Sequence, residues 1–176
     1  MTKLTRGQVL QIIESARARG DKPELVGVNL EETELLGLDL SGVNLQGVNL
    51  RGANLSEAKL SQSNFSGADL FRADFGDVDF RGAKLIGANL SRANLGRANL
   101  NGVNLSDANL RDANLKGADL SNADLSGADL RQANLKHAQL KQANLSGVNL
   151  RGTRYDKATT WPVNFNPTRM GATCED

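Results

Sequence analysis

Residues 120–135 read LSNADLSGADLRQANL, with a leucine at every fifth position and an alanine two places before each of Leu125, Leu130 and Leu135. A helix advances about 100° per residue, so this spacing would spiral the leucines around every face. A regular strand alternates sides and would send successive leucines to opposite faces. Neither buries the leucine column. A short extended piece does put alanine and leucine on one side, with the Asn or Asp between them on the other. The next two residues must then turn a corner, and Gly and Ser there suit a tight turn. Four such corners close a square, and the continuing chain makes a coil with leucines pointing inward from four walls.

The frame is unbroken from Leu30 to Leu150, which is 25 units whose centres hold 22 leucines and Phe65, Phe75 and Phe80. Two places earlier stand 16 alanines, six valines, Thr33, Leu38 and Ser63. The place before the centre is Asn or Asp except at Glu34, Lys59, Lys84 and Gln139. These polar side chains are expected to face solvent or the local backbone. In stretches such as ANLSEAKL (53–60) and NADLSGADL (122–130) the pattern resembles the pentapeptide-repeat family.

The resemblance implies an all-β solenoid: a right-handed quadrilateral parallel β-helix of about 20 residues per coil and about six coils, spaced about 4.8 Å apart. Its core column includes Leu30, Leu50, Phe65, Phe75, Phe80, Leu100, Leu125 and Leu150. Each buried leucine contributes about 1.5–3 kcal/mol before chain entropy is subtracted.

A stack of coils exposes unpaired backbone at both ends, and both flanks read as covers. Residues 1–25 form an entry segment with an N-terminal capping α-helix, from about Arg6 to Arg19 and stopped by Gly20. Thr5 and Gln8 have capping-box spacing, while Leu4 and Val9 stand at the places of a hydrophobic staple. Val9, Leu10, Ile12, Ile13 and Ala16 supply its apolar face. Residues 26–152 form the repeat. Residues 153–176 continue it in degenerate form through Tyr155, Thr160, Phe165 and Met170. There YDKATTWPVNFNP (155–167) gathers the only Trp, the only Tyr and two of three prolines into a lid of Tyr155, Trp161 and Phe165. This ending, like the leader, resembles those of cyanobacterial and plastid members of the family.

Little in the chain is set up for catalysis. His137, the one histidine, falls on a corner and is expected to be exposed and idle. The one cysteine, Cys174, cannot form an internal disulfide and reads as an exposed thiol. No phosphate loop or His-Glu metal motif occurs, so no enzyme, cofactor or metal site is expected. The first 20 residues lack a signal peptide's apolar run, and no stretch approaches a membrane span, which gives a cytoplasmic expectation.

Lys and Arg total 21 against 20 Asp and Glu, which argues against a general nucleic-acid binder. The charge is unevenly spread. Residues 26–80 carry nine acids and three bases, and residues 81–152 carry five acids and ten bases. In a 20-residue coil, Arg51, Arg111, Arg131 and Arg151 share one face, joined by Arg72 and Arg92 one place along. Phe71 and Ser91 fill the gaps. Stacked like charges repel. Either Asp112 and Asp129 screen a solvated face, or the arginines meet an acidic protein partner with Phe71 as apolar anchor. A neighbouring smooth wall carries Gly27, Gly47, Gly67, Gly87, Gly127 and Gly147, with Val26 and Ile86 exposed.

The resulting expectation is a non-enzymatic interaction scaffold or regulatory adaptor, monomer or weak dimer, with an unidentified protein partner. The family resemblance supplies an alternative, inhibition of a type II topoisomerase by DNA mimicry. That mechanism needs a strongly acidic rod, and here the repeat carries 14 acids against 13 bases.

Overall fold

The structure is a computed structural model and describes residues 3–176. Through the repeat, each residue before a core position bridges its equivalent twenty residues on, always in parallel: Asn29 with Asn49, Asn49 with Asp69, Asn109 with Asp129. Two hydrogen bonds make most of these bridges. Leu30 N donates to the Asn49 carbonyl at 2.7 Å, and Asn49 N donates to the Val28 carbonyl at 3.0 Å. The chain therefore coils on itself every four units.

Each corner closes through a bond such as Ala53 N to the Leu50 carbonyl at 3.0 Å. The second corner residue is left-handed throughout, at φ 63° for Gly52 but also at 62° for Gln62 and 60° for His137. With a corner every five residues, only three stay extended on each side. That is room for one bridge, so the expected walls of strand are columns of single bridges. The regular strands are two-residue pieces, β1 (Arg154–Tyr155) and β2 (Thr173–Cys174), paired in parallel.

Leu30, Leu50, Leu100, Leu125 and Leu150 are buried in one continuous core with the alanine column beside them. Phe65, Phe75 and Phe80 occupy a single layer with Leu70. Their ring centroids lie 5.2 to 6.3 Å apart in tilted and edge-on contacts. Only small neighbours fit beside them, and Ser63 takes the alanine place, its hydroxyl donating to the Leu60 carbonyl.

At the N-terminal end, α1 (Arg6–Ala18) is capped by Thr5, whose hydroxyl accepts from Gln8 N, while Gln8 Oε1 accepts from Thr5 N at 2.8 Å. Val9, Ile13 and Ala16 are buried on the first coil, and Leu10 and Ile12 pack against it partly exposed. Apolar cover is half of the seal. The first coil's downward carbonyls have no earlier coil to pair with, and α1 supplies the donors. Arg6 Nη1 reaches the Glu34 and Leu36 carbonyls at 3.3 and 3.0 Å. Arg17 Nη2 reaches those of Asp39 and Ser41 at 3.3 and 3.0 Å. Leu4 N takes the Asn29 carbonyl at 2.9 Å.

At the other end the frame slips. Asn134 bridges Arg154, twenty residues on, but Gln139 bridges Thr160, twenty-one on. The extra residue sits in a turn whose Asp156 carboxylate accepts from Ala158 N and Thr159 N. Thr160, expected in the core column, therefore stands one place before it. Thr159 is buried in the alanine place and Trp161 follows at the leucine place. Trp161 meets Tyr155 edge-on at 5.4 Å and stacks on Phe165 at 5.5 Å. Met170 is 41% exposed, so the column does not extend to it.

Candidate functional site

The arginine face begins with its backbone. At Arg51, Arg111, Arg131 and Arg151 the main-chain N–H donates to the Asn or Asp carboxamide or carboxylate two residues earlier, at 3.1 to 3.2 Å. Each arginine thus leaves a corner already fixed by a side-chain turn. Twenty-residue stacking places Arg111, Arg131 and Arg151 on consecutive coils, about 5 Å apart at their backbones.

Their guanidinium groups are not equivalent. Arg51 lies between Asp69 at 3.1 Å and Glu31 at 3.8 Å, and stacks over the Phe71 ring at 4.5 Å. Arg72 covers the same ring at 5.2 Å. Phe71 is consequently half-buried and capped by two cations rather than standing free as an apolar anchor. Arg92 faces Asp112 at 3.7 Å. Arg131 grips Asp129 through Nε and Nη2, with Nε at 2.8 and 3.0 Å from the two carboxylate oxygens. The Arg131 guanidinium holds the Asp129 carboxyl below its ordinary pKa. Burial opposes this, and the Arg131 N–H and the charges of Arg131 and Arg111 assist it. Among the described residues, Arg111 and Arg151 have no carboxylate within ion-pair distance.

Among the described residues the six arginines therefore resolve into three ion-paired ones, Arg51, Arg92 and Arg131, one that has no carboxylate partner but lies over the Phe71 ring, Arg72, and two with neither, Arg111 and Arg151. Arg111 and Arg151 flank the neutralised Arg131, about 10 Å apart. A shallow groove of about 340 Å³ lies between Phe71, Arg92 and Arg111. Guanidinium groups carried at this spacing on a fixed backbone can each take a carboxylate through two parallel N–H bonds.

The column of Asn and Asp does more than face solvent or the local backbone. Its oxygens do accept from the local backbone, but the Asn amides also donate to the same position one coil back. Asn109 Nδ2 reaches Asn89 Oδ1 at 3.2 Å, and Asn89 Nδ2 reaches Asp69 Oδ1 at 3.0 Å. Asn114 and Asn94 continue the same way to Asp74 at 2.9 and 2.8 Å. The ladder is structural, and only the five-residue frame folded by four would have revealed it.

His137 is exposed but not idle. Its Nε2 lies 3.2 Å from Asp156 Oδ2, and its backbone N–H donates to Asp156 Oδ1 at 3.0 Å, clasping the lid to the last coils. Burial pushes the Asp156 carboxyl upward, yet the His137 N–H and the Thr159 hydroxyl outweigh it and hold it below its ordinary pKa. Cys174 is exposed. Among the described residues no cluster of His, Cys, Asp and Glu is arranged to hold a metal ion, and no helix is long and apolar enough to cross a membrane. On the glycine wall, Val26 and Ile86 are exposed, and the Asp107 carboxylate folds over Gly127.

The family described as Pentapeptide repeats matches in eight copies, over residues 24–62, 49–87, 73–112, 88–127 and 113–152. No curated protein matches the sequence. Among solved structures, the chain is 26% identical to HetL, a pentapeptide repeat protein of the cyanobacterium Nostoc involved in heterocyst differentiation regulation. The match covers 99% of this chain and 95% of that one, with a TM-score of 0.38. A second Nostoc pentapeptide repeat protein is 28% identical, covering 95% of both chains, with a TM-score of 0.33. A trypsin-treated variant of QnrB1, a plasmid-mediated fluoroquinolone resistance protein, is 25% identical over 89% of this chain and 84% of that one, with a TM-score of 0.34.

Proposed function

The chain belongs to the pentapeptide-repeat family, and from that premise we propose that it is a non-enzymatic scaffold or adaptor presenting an arginine wall to an acidic surface on a protein partner. In this reading residues 26–152 are a right-handed, four-sided β-helix, with residues 1–25 and 153–176 as its two covers. The observation that carries the reading is the pair of uncompensated guanidinium groups at Arg111 and Arg151, held on a fixed backbone at either side of the neutralised Arg131. A DNA mimic would need acids along the whole rod. Here the C-terminal coils add Lys116 and Lys141, which like Arg111 and Arg151 have no ion-pair partner among the described residues.

The test uses wild type and the Arg111→Ala/Arg131→Ala/Arg151→Ala variant as paired baits in lysate of the native host. The expected outcome is a protein retained by wild type and lost from the triple variant, whose unfolding transition stays cooperative. Equal retention by both baits would overturn the assignment of this wall.

A further inference from the structure

A second surface, on a different wall, is charged in an order that complements itself. Coil after coil, one corner carries Glu57, Asp77 and Arg97 at its second position and then, where that position is Gly117, Lys116 at its first, which reads acid, acid, base, base. The wall beside it carries Lys59, Asp79, Asn99 and Asp119. All four corner residues are exposed. Asp77 and Arg97 form a two-bond pair at 2.7 and 2.6 Å on the outside of the rod. Among the described residues, Glu57, Lys116 and Lys59 make no ion pair within the chain. Gly76 and Gly96 carry no side chain there, and a groove of about 480 Å³ opens on the far side of the corner, against Asn94 and Asn114.

An acid–acid–base–base row turned end for end meets itself with opposite charges at every coil. We infer that this wall is the contact face of an antiparallel homodimer, its two-fold axis passing between the coils of Asp77 and Arg97. The axis sets Glu57 against Lys116 of the partner subunit and Asp77 against Arg97 of the partner subunit. It also sets Lys59 against Asp119 of the partner subunit and Asp79 against Asn99 of the partner subunit. Each contact occurs twice, as a self-complementary interface requires.

The register is unique. Moving the axis by half a coil, onto Asp77 or onto Arg97, sets that residue against itself. Moving it by a whole coil sets Glu57 against Asp77, or Arg97 against Lys116. A parallel pairing would oppose Lys59 to Lys59, Asp79 to Asp79 and Asp119 to Asp119. Like charges directly opposite destabilise a pairing. The face is small and polar, so the dimer is weak and yields to salt, which screens exposed charges beyond about 8 Å at physiological ionic strength. Arg111 and Arg151 stand on a corner outside this wall, so the paired rods keep both arginine faces open, and the inference does not depend on the function proposed above.

A charge exchange tests it by sedimentation velocity at low salt. Wild type is expected to dimerise in a concentration-dependent way and to dissociate as salt is raised. Glu57→Lys alone and Lys116→Glu alone should each weaken the dimer by at least about tenfold, because each creates two like-charge contacts. The double variant Glu57→Lys/Lys116→Glu restores opposite signs and should return to within about threefold of wild type. A wild type that stays monomeric at several hundred micromolar, single reversals without effect, or a double variant as weak as the singles would each overturn the proposal.

Discussion

Asp79 and Asp129 show how a surface residue of this rod is held. Each lies at the place before a core residue, and each accepts from the backbone N–H and the guanidinium of the arginine two places on. The guanidinium bond is the main cause that keeps both carboxyls below their ordinary pKa, against the opposing effect of burial. For Asp39 the main cause is the Ser41 N–H, and for Asp124 it is the Ser126 hydroxyl. A depressed folded pKa means that, as pH falls past the unfolded value of about 3.9, the unfolded chain takes up protons that the folded chain resists. Stability from these groups is therefore complete above that value and is lost as pH drops through the folded values. The urea midpoint should be level from pH 8 to pH 5 and fall below about pH 4. A midpoint that rises on acidification would contradict the assignment. The leucine and alanine columns were plain in the sequence because burial imposes them at every unit. The amide ladder was not, because Asn109 and Asn89 become neighbours only through the coil. One regularity it imposes is visible afterwards: in each column no Asp stands next to another carboxylate, since an acid can accept from the coil above but cannot donate to the coil below.

The two covers differ in how far their sequence announced them. The span of α1 and its Thr5–Gln8 box lie in one local stretch and were legible there. Arg6 and Arg17 were not, because the carbonyls they cover are 22 to 30 residues away. Replacing both with Ala strips four carbonyls of their donors, at a cost of about 1–3 kcal/mol for partly exposed groups. Because a bare coil edge is a template for another chain, the variant should also associate end to end. Chemical denaturation and light scattering together check this. An Arg6→Ala/Arg17→Ala protein with wild-type midpoint and mass would show that apolar packing of Val9 and Ile13 closes the coil alone. At the lid, the extra residue between Arg154 and Thr160 breaks the five-residue count without leaving a gap in composition. Counting therefore put Thr160 where Trp161 stands, and gave no hint that His137 and Asp156 would clasp the two parts.

For the whole molecule, the consequence of the repeat is a linear arrangement of charge. Four units per coil convert an unremarkable sequence balance, near neutral overall, into columns with their own sign and order. The arginine face could be read from the sequence once the coil length was supposed. Its division into paired and free guanidinium groups could be read only in part: Asp112 and Asp129 stand in the sequence where they can screen the face, but which arginine each takes, and the part of Asp69, follow from side-chain geometry. Both proposed surfaces, and the sealed end, stand or fall with the twenty-residue register. That register is best measured by disulfide formation in a Cys174→Ser background. Arg111→Cys/Arg131→Cys places two thiols on adjacent coils at about 4.8 Å between backbones, inside the range of about 4.4–6.8 Å that a disulfide spans. Arg111→Cys/Ser121→Cys places them on opposite corners of the rod. Mild oxidation is expected to close the first pair within one chain and to leave the second reduced; closure of the second pair, or no closure of the first, would overturn the twenty-residue register.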